Sequence, residues 1–152
     1  MKTRRFFSLF FCLLLLLALP ETALAAKDDT GELDVEAKAA FLADPETGEI
    51  LYARNIHERL YPASLTKVMT TLLVLEAVDD GRLSMDQVLT ASQEAIELVP
   101  ADGSNAGIKI GEEMKVEDLL YCVMLVSANE GCNILAEAVS GSVDAFVEEM
   151  NR

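Results

Sequence analysis

The hydrophobic positions of this chain alternate at first and then recur at helical spacing. Residues 39–43 and 49–54 read as two short strands. Between them, Asp44-Pro45-Glu46-Thr47-Gly48 places proline at the second turn position and glycine where a positive φ is needed. This predicts a β-hairpin, and with it a larger sheet, because a lone hairpin is not stable in water. Residues 65–78 are predicted to form a helix. Leu65, Val68, Met69, Leu72, Leu73, Val74, Leu75 and Val78 leave little polar face in its second half, the pattern of a helix buried nearly all round. Gly81 suits its left-handed cap. A second helix is predicted over 85–99, with Val88, Ala91, Ala95, Ile96 and Val99 at helical spacing. A loop dense in Asp, Gly, Ser and Asn follows at 100–107, then a brief extended piece at 108–110. Residues 116–126 predict another strongly apolar helix, which stops at Ser127-Ala128-Asn129. A further helix is expected over 130–139, and a last one capped by Ser142, with Val143, Phe146, Val147 and Met150 on one face. The expected architecture is therefore α/β and incomplete: an N-terminal β-hairpin, then a run of helices with no second set of strands. The strands that would complete the sheet are expected beyond these residues. The uncovered hairpin edge would then make residues 26–152 prone to aggregate.

The first segment stands apart. Lys2, Arg4 and Arg5 form a positive n-region, residues 6–19 an apolar h-region ending at Pro20, and Ala23-Leu24-Ala25 a small-x-small cleavage site. Residues 1–25 are read as a signal peptide, because about 14 apolar residues are too few to span a bilayer comfortably. Export is the expectation, with membrane contact only through that signal or an anchor outside this sequence. Acidic residues number 26 against 12 basic ones, a formal charge of -14. Nucleic-acid binding needs a basic footprint and is excluded on that count. The same charge argues against docking on anionic lipid.

Cys12 belongs to the signal. Cys122 and Cys132 flank a predicted turn in a chain bound for an oxidising compartment, which would permit a bridge, but they also fit as small buried apolar residues and are read as free thiols. Neither has metal-ligand spacing with the single histidine, His57, so no metal or cofactor is expected. His57 sits in a polar stretch without the arrangement of a Ser-His-Asp triad and is read as a surface-loop residue.

Candidate chemistry lies in Tyr61-Pro62-Ala63-Ser64-Leu65-Thr66-Lys67. Positions i and i+3 of a helix share a face, so the Lys67 amine can reach the Ser64 hydroxyl. A serine is a poor nucleophile until a neighbouring base takes its proton, and a lysine amine can be that base. The start of the helix directs backbone N–H groups at any oxyanion formed beside Ser64. Alone, S-x-x-K equally describes a helix-capping serine followed by a solvated lysine. Ser127-Ala128-Asn129, in a tight break between two apolar helices, brings a hydroxyl and an amide into one cleft, although Ser and Asn also cap helices. The two motifs together are the constellation of penicillin-binding enzymes.

On these motifs and their flanks, the Ala-Asp-Pro-Glu-Thr-Gly hairpin and Ser-Ala-Asn-Glu-Gly-Cys-Asn included, the chain resembles the serine-type D-alanyl-D-alanine carboxypeptidases. These are low-molecular-weight penicillin-binding proteins of β-lactamase/transpeptidase-like fold. The resemblance implies a sheet flanked by helices plus a helical lobe, with residues 26–152 the N-terminal part of the catalytic domain. It implies Ser64 as the acylated nucleophile, Lys67 as its general base, Ser127 as a proton relay to the leaving amine, and Asn129 as a ligand for the substrate backbone. The implied substrate is a peptidoglycan stem peptide ending in D-Ala-D-Ala, with β-lactams as covalent inhibitors and no cofactor. The family's K-T-G motif does not occur in these residues and would lie beyond Arg152. Glu130 stands where the family more often has Asp. The alternatives are a β-lactamase-related hydrolase, against which Ala128 stands in place of the Asp of Ser-Asp-Asn, and a non-catalytic module of the same fold.

Overall fold

The computed structural model describes residues 35–152. The signal-peptide reading of residues 1–25 lies outside them. The chain divides into two units, Met1–Leu60 and Tyr61–Arg152. Among the described residues, no helix is long and apolar enough to cross a membrane.

The first unit is the expected hairpin. Strands β1 (Ala40–Ala43) and β2 (Ile50–Arg54) pair antiparallel with Phe41 opposite Ala53 and Leu42 opposite Tyr52, and the register slips between Leu42 and Ala43. The turn is held by one side chain. Asp44 Oδ1 accepts from the Glu46 N–H (2.9 Å), the Thr47 N–H (2.7 Å) and the Thr47 hydroxyl (2.9 Å). Gly48 supplies the positive φ, 72°. His57 lies in an exposed turn after β2.

The second unit holds the rest of the chain. A single 3-10 turn (Ala63–Leu65) leads into α1 (Thr66–Asp79). Next come β3 (Val88–Thr90), α2 (Gln93–Glu97), β4 (Glu113–Lys115), α3 (Val116–Leu125), α4 (Asn129–Ser140) and α5 (Val143–Met150). The Ser142 cap forms as expected, its hydroxyl accepting from the Ala145 N–H. Helix α4 is the hub: α1, α2, α3 and α5 all pack on it. The core between them includes Val74, Val116, Leu119, Val123 and Leu135, each fully enclosed.

Three expectations are corrected. Residues 85–99 do not form one helix. Val88 pairs with Lys115, Leu89 with Met114 and Thr90 with Glu113, so the unit has a second two-stranded sheet. The apolar spacing fits both periods over so short a run. Two features decide: a strand partner at 113–115, and Ser92, whose hydroxyl accepts the Ala95 N–H and starts a new helix. The architecture is therefore not a hairpin followed only by helices. The extended piece expected at 108–110 is irregular backbone, and the strand lies three residues further on. Finally, α1 is not buried all round. Only Thr70, Val74 and Ala77 are buried, at the i, i+4, i+7 spacing of one face against α4 and α3, whereas Leu65 (72%), Val68 (59%), Leu72 (48%) and Leu75 (42%) are exposed. Apolar side chains spread around a helix axis cannot all be covered by neighbours on one side.

Candidate active site

All four candidate residues lie in the second unit. Ser64 sits in the 3-10 turn and Lys67 one turn later in α1. Ser127 occupies the break between α3 and α4, and Asn129 opens α4. Packing of α1 and α3 on α4 brings the two motifs together across more than sixty residues of sequence. The Ser127 hydroxyl donates to Ser64 Oγ at 2.9 Å. Lys67 Nζ donates to Asn129 Oδ1 at 2.7 Å and makes a long contact of 3.5 Å with Ser64 Oγ. Ser64 is exposed; the other three are partly buried.

The backbone is strained at two of the turns that present these groups. Ala63 (φ 50°) and Ser127 (φ 61°) both adopt left-handed conformations without being glycine. Such residues cost on the order of 1–3 kcal/mol each and persist where surrounding structure over-determines them. At Ser127 the closure is visible: the Ala128 N–H reaches the Cys122 carbonyl at 3.1 Å, and Ala128 is fully buried. In this conformation the Ser127 hydroxyl reaches Ser64 Oγ.

Ser64, Lys67 and Asn129 open on a cleft of about 440 Å³ that Thr70, Pro100 and Cys132 also line, among others; Ser127 reaches it only through its hydrogen bond to Ser64. Its far wall, at Leu98, Val99 and Pro100, exists because 85–99 ends in a short helix and a turn. Ser92 Oγ donates to Glu137 at 2.8 Å, and Asn133 donates to the Ala95 carbonyl at 2.9 Å, fixing α2 to α4. Cys122 and Cys132 are free thiols. Burial pushes the Cys132 thiol above its ordinary value; the Lys67 charge and a Thr70 hydrogen bond act more weakly in the other direction. Among the described residues, no group of three His, Cys, Asp or Glu is placed to hold a metal ion.

Thr70, Cys132 and Asn133 were not singled out from the sequence, though each shares a helix face with Lys67 or Asn129 at i+3 or i+4. Gly103 was missed too. It carries no motif, yet its backbone lies directly against the Asn129 amide.

Chemically, the arrangement offers an accessible hydroxyl oxygen, a second hydroxyl within hydrogen-bond reach of it, an amine anchored beside the first, and an amide at the cleft edge. These are the components of nucleophilic acyl transfer.

The family model described as D-alanyl-D-alanine carboxypeptidase matches residues 23–152. The D-alanyl-D-alanine carboxypeptidase DacF of Bacillus subtilis (strain 168) is 40% identical over 141 residues, which are 91% of this chain and 36% of that protein. Among solved structures, penicillin binding protein 5 from Haemophilus influenzae is 34% identical with a TM-score of 0.73, covering 81% of this chain and 36% of that one. Penicillin-Binding Protein D2 from Listeria monocytogenes, solved in an ampicillin-bound form, is 35% identical with a TM-score of 0.63, covering 78% of this chain and 46% of that one. The chain spans about a third of the length of the curated relatives it matches.

Proposed function

The chain belongs to the D-alanyl-D-alanine carboxypeptidase family, and on that premise we propose that it carries the nucleophile half of a serine-type D-Ala-D-Ala carboxypeptidase acting on peptidoglycan stem peptides. The observation that carries this reading is the contact set at Ser64: Ser127 Oγ at 2.9 Å and Lys67 Nζ at 3.5 Å, on an open cleft.

In the proposed reaction, Ser64 Oγ attacks the carbonyl carbon of the penultimate D-alanine while Lys67 takes the hydroxyl proton. The tetrahedral oxyanion forms beside the start of α1, where backbone N–H groups stabilise it. The C–N bond then breaks, and Ser127 hands a proton to the departing D-alanine amine, regaining one from Lys67. Water attacks the resulting ester, its proton again passing to Lys67; the ester C–O bond breaks, and Lys67 returns that proton to the departing Ser64 oxygen, restoring both groups. Asn129, held on Lys67 by its Oδ1, keeps its Nδ2 donor for the substrate backbone. A β-lactam presents a strained amide to the same hydroxyl and leaves the enzyme acylated. Residues 1–25 act as the export signal, so mature protein sequenced from its N-terminus should begin at Ala26 or Lys27.

The decisive experiment uses the full-length protein. A fluorescent penicillin is expected to label one residue, Ser64, identified by mass spectrometry, and to leave Ser64→Ala unlabelled. Undiminished labelling of a folded Ser64→Ala protein would overturn the assignment.

A further inference from the structure

Glu130 is almost fully enclosed, at 3% exposure, and forms no ion pair among the described residues. One oxygen, Oε1, accepts three backbone N–H groups of a single loop: Ala106 (2.6 Å), Gly107 (3.0 Å) and Ile108 (3.4 Å). The other, Oε2, is buried and has no hydrogen-bond partner among the described residues. A buried carboxylate satisfied on one side only is costly, and it calls for a reason. The loop it holds returns to the preceding residue. The Asn129 N–H donates to the Ser104 carbonyl at 2.9 Å. At Gly103 an added Cβ would stand 2.9 Å from Asn129 Nδ2, 3.0 Å from the Pro100 carbonyl oxygen and 3.1 Å from Val99 Cγ1. The Asn129 amide thus has Lys67 on its oxygen at 2.7 Å, and on its nitrogen side Gly103, where any side chain would collide with it.

We infer that Glu130 and Gly103 are positioning residues that act through Asn129. Glu130 fixes the 103–108 loop; the loop sets Gly103 against the amide; the amide in turn stays on Lys67 and at the cleft edge. The absence of a side chain at 103 is what lets the loop come this close. The reach of Glu130 is equally specific. Aspartate is shorter by one bond, about 1.5 Å, and from the same backbone position it cannot meet all three N–H groups. A misplacement on the order of 1 Å at a substrate-positioning group can cost about a hundredfold in rate. The consequence for acylation rests on the proposed function; the placement of Asn129 does not.

The test is a double-mutant cycle in the full-length protein with two readouts: the penicillin acylation rate, and the side-chain 15N–1H resonance of Asn129 with hydrogen exchange at Ala106 and Gly107. Glu130→Asp is expected to slow acylation about tenfold or more when Asn129 is present, and by less than about threefold on an Asn129→Ala background, the signature of residues acting as a unit. It should also move the Asn129 resonance and speed exchange at 106 and 107. Glu130→Gln keeps the length and one acceptor oxygen, and should restore most of the rate. Gly103→Ala should move the same resonance and slow acylation while exchange at 106 and 107 stays protected, so it tests the inference even if Glu130→Asp fails to fold. Equal losses on both backgrounds, or an Asn129 resonance unmoved by Glu130→Asp and by Gly103→Ala, would overturn it. If the wild-type protein takes no penicillin, the proposed function falls, and the resonance and exchange readouts still decide the clamp.

Discussion

Lys67→Met separates the amine from everything else Lys67 does. Methionine keeps an unbranched apolar stem for the partly buried site and removes the charge, the contacts to Ser64 and Asn129, and the amine that would act as base beside Ser64. Two losses follow. General base assistance is worth about a hundred- to ten-thousandfold, or roughly 3–5 kcal/mol of activation free energy. Asn129 Oδ1 also loses its 2.7 Å charge-assisted bond, worth about 1.5–3 kcal/mol, part of which holds the Asn129 side chain in place. The two act on one transition state and will not add fully. Acylation should therefore slow by about a thousandfold or more, with the fold retained because Lys67 is only partly buried at the head of α1, while the enclosed residues of that helix, Thr70, Val74 and Ala77, come further along it. The assay is the time course of fluorescent penicillin incorporation, with the label located by mass spectrometry and folding checked by circular dichroism melting. A rate within about tenfold of wild type, in a cooperatively melting protein, would refute the reasoning. The proton would then have to leave through Ser127, whose oxygen lies 2.9 Å from Ser64 Oγ.

Three further outcomes are expected. Leu119→Ala should cost about 2–5 kcal/mol in urea unfolding, because Leu119, on α3, is fully enclosed in the core. The Asp44 carboxyl, held below its ordinary value first by the Thr47 backbone N–H, then by the Thr47 hydroxyl and the Glu46 N–H, should titrate below a free aspartate by NMR. Its folded value being the lower one, its contribution to the turn is complete above the unfolded value and is lost as pH falls through the folded one. Faster amide exchange at Thr47 should mark that loss, and an unshifted midpoint would contradict the turn geometry. Cys132, its thiol raised chiefly by burial, should react with iodoacetamide more slowly than free cysteine at mildly alkaline pH, with its midpoint displaced upward. Peptide mapping of the alkylated protein gives the profile for this residue.

Local chemistry alone determined much of this molecule. The β1–β2 hairpin was legible because Pro45 fixes its own φ, Gly48 admits the positive φ that the turn needs, and the side chain of Asp44 closes the turn on its own neighbours. The starts and stops of α3, α4 and α5 were legible for the same reason: the break at Ser127-Ala128-Asn129 and the Ser142 cap are short-range. Ser64 and Lys67 could be paired from the i, i+3 relation, which needs only a helix. Pairing them with Ser127 and Asn129 required the resemblance, since periodicity says nothing about which helices meet. What tertiary structure decided is whatever depends on a partner far along the chain. Val88, Leu89 and Thr90 became a strand because Glu113, Met114 and Lys115 offered an edge. The face of α1 that is buried was chosen by where α4 and α3 lie, since its apolar residues mark no single side. Glu130 and Gly103 acquired their relation to Asn129 only once the 103–108 loop folded back, because a hydrogen bond or a close approach across more than twenty residues leaves no trace in local composition.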